Sequence, residues 1–162
     1  MKAHAVKVDP RLQNLLPGST FADAYRVVGV RSDLNARQAA RIIFNSPPAW
    51  ADALIAVRNW IVGWLGLKAG ERPSTADDNS HISFFPIVIE SPQEMILGLD
   101  DHHLDFRLVV TLESITADTQ QVTVTSVVKT HNRLGRVYLM IILPFHRLLA
   151  HTMLARASLP GA

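Results

Sequence analysis

The run His102-His103-Leu104-Asp105-Phe106-Arg107 gathers imidazole, carboxylate and guanidinium groups within a few positions. On a strand, His103, Asp105 and Arg107 share one face while His102 points to the other. A metal could use His102, His103 and Asp105 only with further ligands from elsewhere, and the nearby arginine opposes a cation. A hydrogen-bonded polar row with no metal is the expected reading. His131, beside Asn132 at a turn, could act as acid or base near neutral pH, or simply sit at the surface. Tyr138 offers a phenol to a ligand, or packs as a core tyrosine. His146 and Arg147 are expected to open a terminal helix, where cations oppose the helix dipole, so they call for carboxylate partners or an anionic ligand. Trp50, Trp60 and Trp64 stand at core spacing on a helix, and packing is favoured over an aromatic ligand box.

Several chemistries are missing. The chain has no cysteine, which excludes disulfides, thiolate metal sites and thiol nucleophiles. It also lacks a glycine-rich phosphate loop and a G-x-S-x-G elbow. No cofactor is implied. A net charge of +2 is small for a nucleic-acid footprint, and basic residues are not interleaved with aromatics, so no nucleic-acid partner is expected. The charge is uneven, however. No acid follows Asp118, while Lys129, Arg133, Arg136, Arg147 and Arg156 do. Such bases form a solvated rim, or meet an anionic ligand or membrane surface.

The elements that must position these groups follow from periodicity. A length of 162 residues, 48% of them hydrophobic, suits one folded domain over 1–162. His4 to Val8 alternates as a short edge strand, and Phe21 to Val28 reads as a strand with Phe21 and Tyr25 on one face. Asp33 or Asn35 is expected to cap a short helix buried through Ala36, Ala39, Ala40 and Ile43. Ser46-Pro47-Pro48 separates it from a second helix, Ala49 to Leu65, with Trp50, Leu54, Val57, Ile61 and Leu65 on one face. Lys68 to Ser80 is a polar loop. Strands are then predicted over Ile82–Ser91, Glu94–Leu99, His103–Glu113, Gln120–Thr130 and Arg136–Leu143. Their short connections require antiparallel pairing. Pro144 is expected to open the terminal helix, which runs to about Ala157 with Phe145, Leu148, Leu149, Thr152 and Met153 inward. Met1 to Asp9 alternates rather than forming the apolar run of a signal peptide, and the apolar run Val137–Leu143 is too short to span a bilayer, so a soluble cytoplasmic protein is expected.

This order predicts an α+β fold: a curved antiparallel β-sheet wrapped around a C-terminal α-helix, with a helix pair after the first strand. A sheet wrapped on one helix leaves room for a cavity. The arrangement resembles the helix-grip fold of the START-like (SRPBCC, polyketide-cyclase-like) superfamily. More narrowly, the chain resembles a bacterial family known only as a domain of unknown function. The resemblance rests on Pro48-Ala49-Trp50, Arg58-Asn59-Trp60, Leu65-Gly66-Leu67, His103-Leu104-Asp105-Phe106-Arg107, Thr130-His131-Asn132, Gly135-Arg136-Val137-Tyr138 and Pro144-Phe145-His146-Arg147, and covers about Tyr25 to Leu154. It implies binding of hydrophobic or amphipathic small molecules and brings no reaction with it.

The expected pocket is apolar, lined from Phe106, Leu108, Val124, Tyr138, Met140, Leu149 and Met153. The apolar row Leu104, Phe106, Leu108, Val110 and Leu112 is expected to line the core, which leaves the polar row on the outer, solvated face; Asp105, Arg107 and His131 join the pocket only if that row looks inward. The rival is a cyclase, dehydratase or hydrolase using Asp105, Arg107, His131 and Tyr138. A third class is a module whose basic C-terminal stretch meets an anionic surface. Oligomeric state has no signature in the sequence.

Overall fold

The computed structural model describes residues 2–45, 47–64, 79–83, 85–157 and 159–161. In chain order the elements are β1 (His4–Val6), α1 (Pro10–Gln13), β2 (Phe21–Arg31), α2 (Ala36–Phe44), α3 (Ala51–Trp64), β3 (His81–Ile82), β4 (Phe85–Glu90), β5 (Glu94–Asp100), β6 (Leu104–Ser114), β7 (Thr119–Thr130) and α4 (Arg133–Arg156). The helix pair α2–α3 therefore follows β2, with β1 and α1 added ahead of it.

The strands form one seven-stranded antiparallel sheet in the order β1-β2-β7-β6-β5-β4-β3. Tight turns dictate the meander from β4 to β7, and β2 then pairs with β7 along nearly its whole length, Phe21 opposite Val128 and Arg31 opposite Thr119. The sheet is curved. Register shifts between Val28 and Val30 in β2, and between Ile87 and Ile89 in β4, put an extra residue on one strand and bend it. Gly29 sits in the first of these shifts at φ +85°, a conformation that a side chain disfavours.

The concave face carries the main core. Val27, Met95, Leu97, Val110, Val122 and Val124 meet the stripe Ala36, Ala39, Ala40 and Ile43 of α2, together with Leu154 of α4. The small alanines let α2 lie close to the sheet. Its start is fixed by Asn35, whose side chain accepts from Gln38 N–H while the Gln38 side chain accepts from Asn35 N–H. Asp33, the other expected cap, instead pairs with Arg31. On the convex face a smaller cluster joins Leu12 of α1 to Ile96 and Val109.

Residues 136–143, expected as a strand, are helical. They form the first half of α4, a single helix of 24 residues with Pro144 inside it, so His146 and Arg147 lie mid-helix rather than at its start. Asn132, expected in a turn, is its N-cap: Gly135 N–H donates to Asn132 Oδ1 at 2.8 Å. Proline removes one helical N–H and frees the carbonyl four residues earlier, that of Met140. Both Pro144 and Met140 are exposed, so water can satisfy that carbonyl and the helix continues. By length and composition α4 is apolar enough to cross a membrane, which the expected strand was not.

Trp60 and Trp64 depart from expectation too. They are 72% and 81% exposed, so neither packs in the core, while Trp50 is half-buried. The side chains of Leu54, Val57 and Ile61, the motif at 65–67 and most of the expected loop 68–80 lie outside the described residues.

Candidate functional site

Alternation along β2 sends Phe21, Asp23, Tyr25 and Val27 to the concave face, and along β7 it sends Val122, Val124, Ser126 and Val128 there. Asp23 and Ser126 are direct cross-strand neighbours. α4 crosses over these two strands and brings His146 down between them. His146 Nε2 and Ser126 Oγ share a hydrogen bond of 3.0 Å, and the same nitrogen stands 3.6 Å from Asp23 Oδ1. A carboxylate, an imidazole and a hydroxyl thus meet beneath the helix, among otherwise apolar neighbours.

Asp23 is the unusual member. Its side chain is only 14% exposed, both carboxylate oxygens are buried, and among the described residues neither accepts a hydrogen bond. Buried polar groups are normally satisfied, because a carboxylate taken from water without donors costs several kcal/mol (order of magnitude). The imidazole relieves part of this when protonated. In a relay of nucleophile, base and carboxylate, the two ring nitrogens divide the work between hydroxyl and acid. Here both partners approach Nε2, so the cluster is a polar knot rather than such a relay.

Aromatic contacts fix the helix over the knot. The His146 ring meets Phe21 edge-on at 6.2 Å, and the Arg147 guanidinium lies 5.5 Å from the centre of the same ring. One turn on, His151 meets Tyr25 edge-on at 6.0 Å and shares a 3.1 Å hydrogen bond with the Ala3 carbonyl, which must accept it. Burial pushes the Tyr25 phenol above the ordinary tyrosine range, and the Asp23 charge adds to this against the opposing effect of Arg147. The neutral phenol is favoured in the fold, so its stabilisation is intact below the ordinary tyrosine pKa and is lost as pH rises through the raised one. In an ultraviolet pH titration, the late-ionising phenol is expected to vanish in Tyr25→Phe and to persist in Tyr138→Phe.

Full burial along α4 is confined to its two ends. Gly135 and Leu154 are its fully buried residues, whereas inward-facing Tyr138, Leu139, Ile142, Leu149 and Met153 are half-buried. Facing them, Phe21, Tyr25, Phe106 and Leu108 are half-buried as well. Phe106 is met edge-on by Phe85 at 5.7 Å, and Phe85 in turn by Phe44 at 5.8 Å, which extends an aromatic wall along the concave side.

The residues expected from the sequence divide accordingly. Phe106, Leu108, Val124, Tyr138, Leu149 and Met153 belong to the concave sheet face or to α4. Met140 does not line this side, because on a helix it points to solvent and is 74% exposed. The polar row looks outward: Asp105 and Arg107 alternate with Phe106 and Leu108, on the face shared with Val109 and α1. There Asp105 pairs with His131 at 2.9 Å, and Arg107 pairs with Asp100 at 2.7 Å, holding that carboxyl below its usual range mainly through the hydrogen bond. Asp105, Arg107 and His131 are thus separated by the sheet from the α4 side that carries Tyr138. His103 has a different task, sharing a 2.9 Å hydrogen bond with the Asn132 side chain at the start of α4.

Asp23 and Ser126 were not among the expected site residues. Their signal was nonetheless present: an acid interrupts the apolar alternation Phe21-x-x-x-Tyr25-x-Val27, and a serine interrupts Val122-x-Val124-x-x-x-Val128. Elsewhere, a shallow depression is lined by the charged or polar residues Arg31, Ser32, Asp33 and Asp118, and its arginine is already paired with Asp33.

The chain matches no curated protein and no solved structure. A family model does match residues 15–153, a stretch that includes β2, the meander, the polar knot and nearly all of α4. The chain belongs to that family, described as a protein of unknown function, DUF2867.

Proposed function

We propose that this protein is a helix-grip domain of the START-like type that holds a small amphipathic molecule between the concave sheet face and α4. The guest's apolar body lies along Phe21, Phe106, Leu108 and Val124, and its polar head donates hydrogen bonds to Asp23. The observation that carries this reading is the Asp23 carboxylate, buried with both oxygens lacking a donor beside an imidazole and a hydroxyl. A binding site with a few polar groups in a mostly apolar lining orients its ligand in this way. The half-buried residues on both walls support it, since these inward-facing positions are not fully covered by the fold.

The test is native mass spectrometry on gently purified protein, followed by thermal-shift titration with a long-chain amine, alcohol and fatty acid of equal length. A retained small molecule, or a rise in melting temperature with the amine or alcohol but not the acid, is expected. Protein that carries no guest and responds to none of the three would end the proposal.

A further inference from the structure

The outward side of α4 is as unusual as its inward side. Val137 is followed three and four residues on by Met140 and Ile141, and these by Pro144 and then Leu148 at further steps of three or four, so they form one stripe, roughly 16 Å long at 1.5 Å per residue. All of them are exposed. Arg133 and Arg136 stand at one end of this stripe and Arg147 beside the other, each exposed as well. A soluble surface rarely leaves a contiguous apolar strip uncovered.

We propose that this stripe docks α4 flat on a lipid bilayer carrying anionic headgroups, with the apolar side chains in the interface and the arginines on the headgroup phosphates. Charge complementarity selects that occupant. From residue 119 to the end the chain has no acid, and among the described residues no carboxylate pairs with Arg133, Arg136 or Arg147. Arg133 and Arg136 also lie in the first turns of α4, where the helix dipole disfavours cations and no acid compensates. An anionic surface relieves that repulsion. A second copy of this chain does not: a twofold pairing of the stripes sets Arg133 and Arg136 against the basic end of the partner helix, which carries no acid. Lying on the bilayer also fits better than crossing it. The inward face of α4 is committed to Ser126, Phe21 and Tyr25, and those contacts would have to be stripped for insertion. Exposed Trp60 and Trp64 stand on α3, which touches α4, and supply the residue type most at home in the headgroup region.

The full chain is sedimented with vesicles of phosphatidylcholine alone and with vesicles that include phosphatidylglycerol. Binding to the mixed vesicles, weakened by added salt, is expected. The double variant Met140→Glu, Leu148→Glu alters two side chains that are 74% and 54% exposed, so it keeps its melting temperature while losing at least about tenfold in vesicle affinity. Asp23→Asn binds vesicles as well as the parent does, which separates this inference from the fate of the ligand site. Equal binding to both vesicles, unchanged binding by the double variant, or a soluble dimer that the double variant splits would each overturn it.

Discussion

Asp23→Asn is expected to make the protein more stable and less able to hold a guest. The two effects have one cause. A carboxylate with both oxygens buried and without donors gives up its hydration and recovers little of it, since the His146 nitrogen at 3.6 Å is beyond hydrogen-bond reach. Asparagine keeps the shape, removes the charge, and can donate from its amide toward the neighbouring Ser126 hydroxyl. Relief of an unsatisfied buried group is worth about 1–3 kcal/mol. For a chain of this size each kcal/mol moves the melting temperature by about 2–4 °C, so a rise of several degrees is expected by calorimetry. Guest retention, read by native mass spectrometry on the same sample, falls because the negative charge and one of the two acceptor oxygens are replaced by a donor. Opposite signs in the two measurements distinguish a binding carboxylate from a structural one. If Asp23→Asn melts lower than the parent, the His146 pairing already satisfies the acid, and the polar knot is architecture alone. Sites built for function commonly carry such a stability cost.

Much of this arrangement was readable from residue order. The alternation from Phe21 onward, the alanine stripe of α2 and the tight turns of the meander each obey a local rule, and the sheet follows from them. Where reading failed, the missing information was tertiary. Val137 to Leu143 is apolar on every side, so it carries no period by which helix and strand can be told apart. It is helical because Asn132 caps it and because its proline faces water, and neither condition shows in hydrophobicity alone. Asp105 and Arg107 alternate with apolar Phe106 and Leu108, so the expectation of an outer polar row holds, and on the convex face they form ordinary ion pairs, while His103 just ahead of the strand binds the Asn132 cap instead. Asp23 has no chemical partner nearby in sequence. Only the pairing of β2 with β7 and the crossing of α4, more than a hundred residues later, put His146 and Ser126 beside it.

Two glycine-to-alanine substitutions in helices are expected to act in opposite directions, and the contrast tests how α4 is held. Alanine favours a helix over glycine by about 1 kcal/mol. Gly63 in α3 has open space where a Cβ would go, so Gly63→Ala should gain about that much stability. Gly135 in α4 is different. A Cβ there would lie 2.1 Å from the His103 carbonyl oxygen, a contact no side chain tolerates. That oxygen cannot simply retreat, because it accepts the His131 N–H at 2.9 Å, and the His103 ring is tied to Asn132, the cap of the same helix. Overpacking against fixed backbone typically costs about 1–3 kcal/mol, more than the helical gain returns. Gly135→Ala should therefore melt below the parent and Gly63→Ala above it in the same denaturant series. Since Gly135 and Leu154 anchor the two ends of α4, releasing one end also opens the concave face. Amide exchange in 136–143 should then rise well before the strands β6 and β7 lose protection. Equal protection in parent and Gly135→Ala would mean that the helix is held by its middle, through His146 and Ser126, and that the walls on either side of the guest are less free than their exposure suggests.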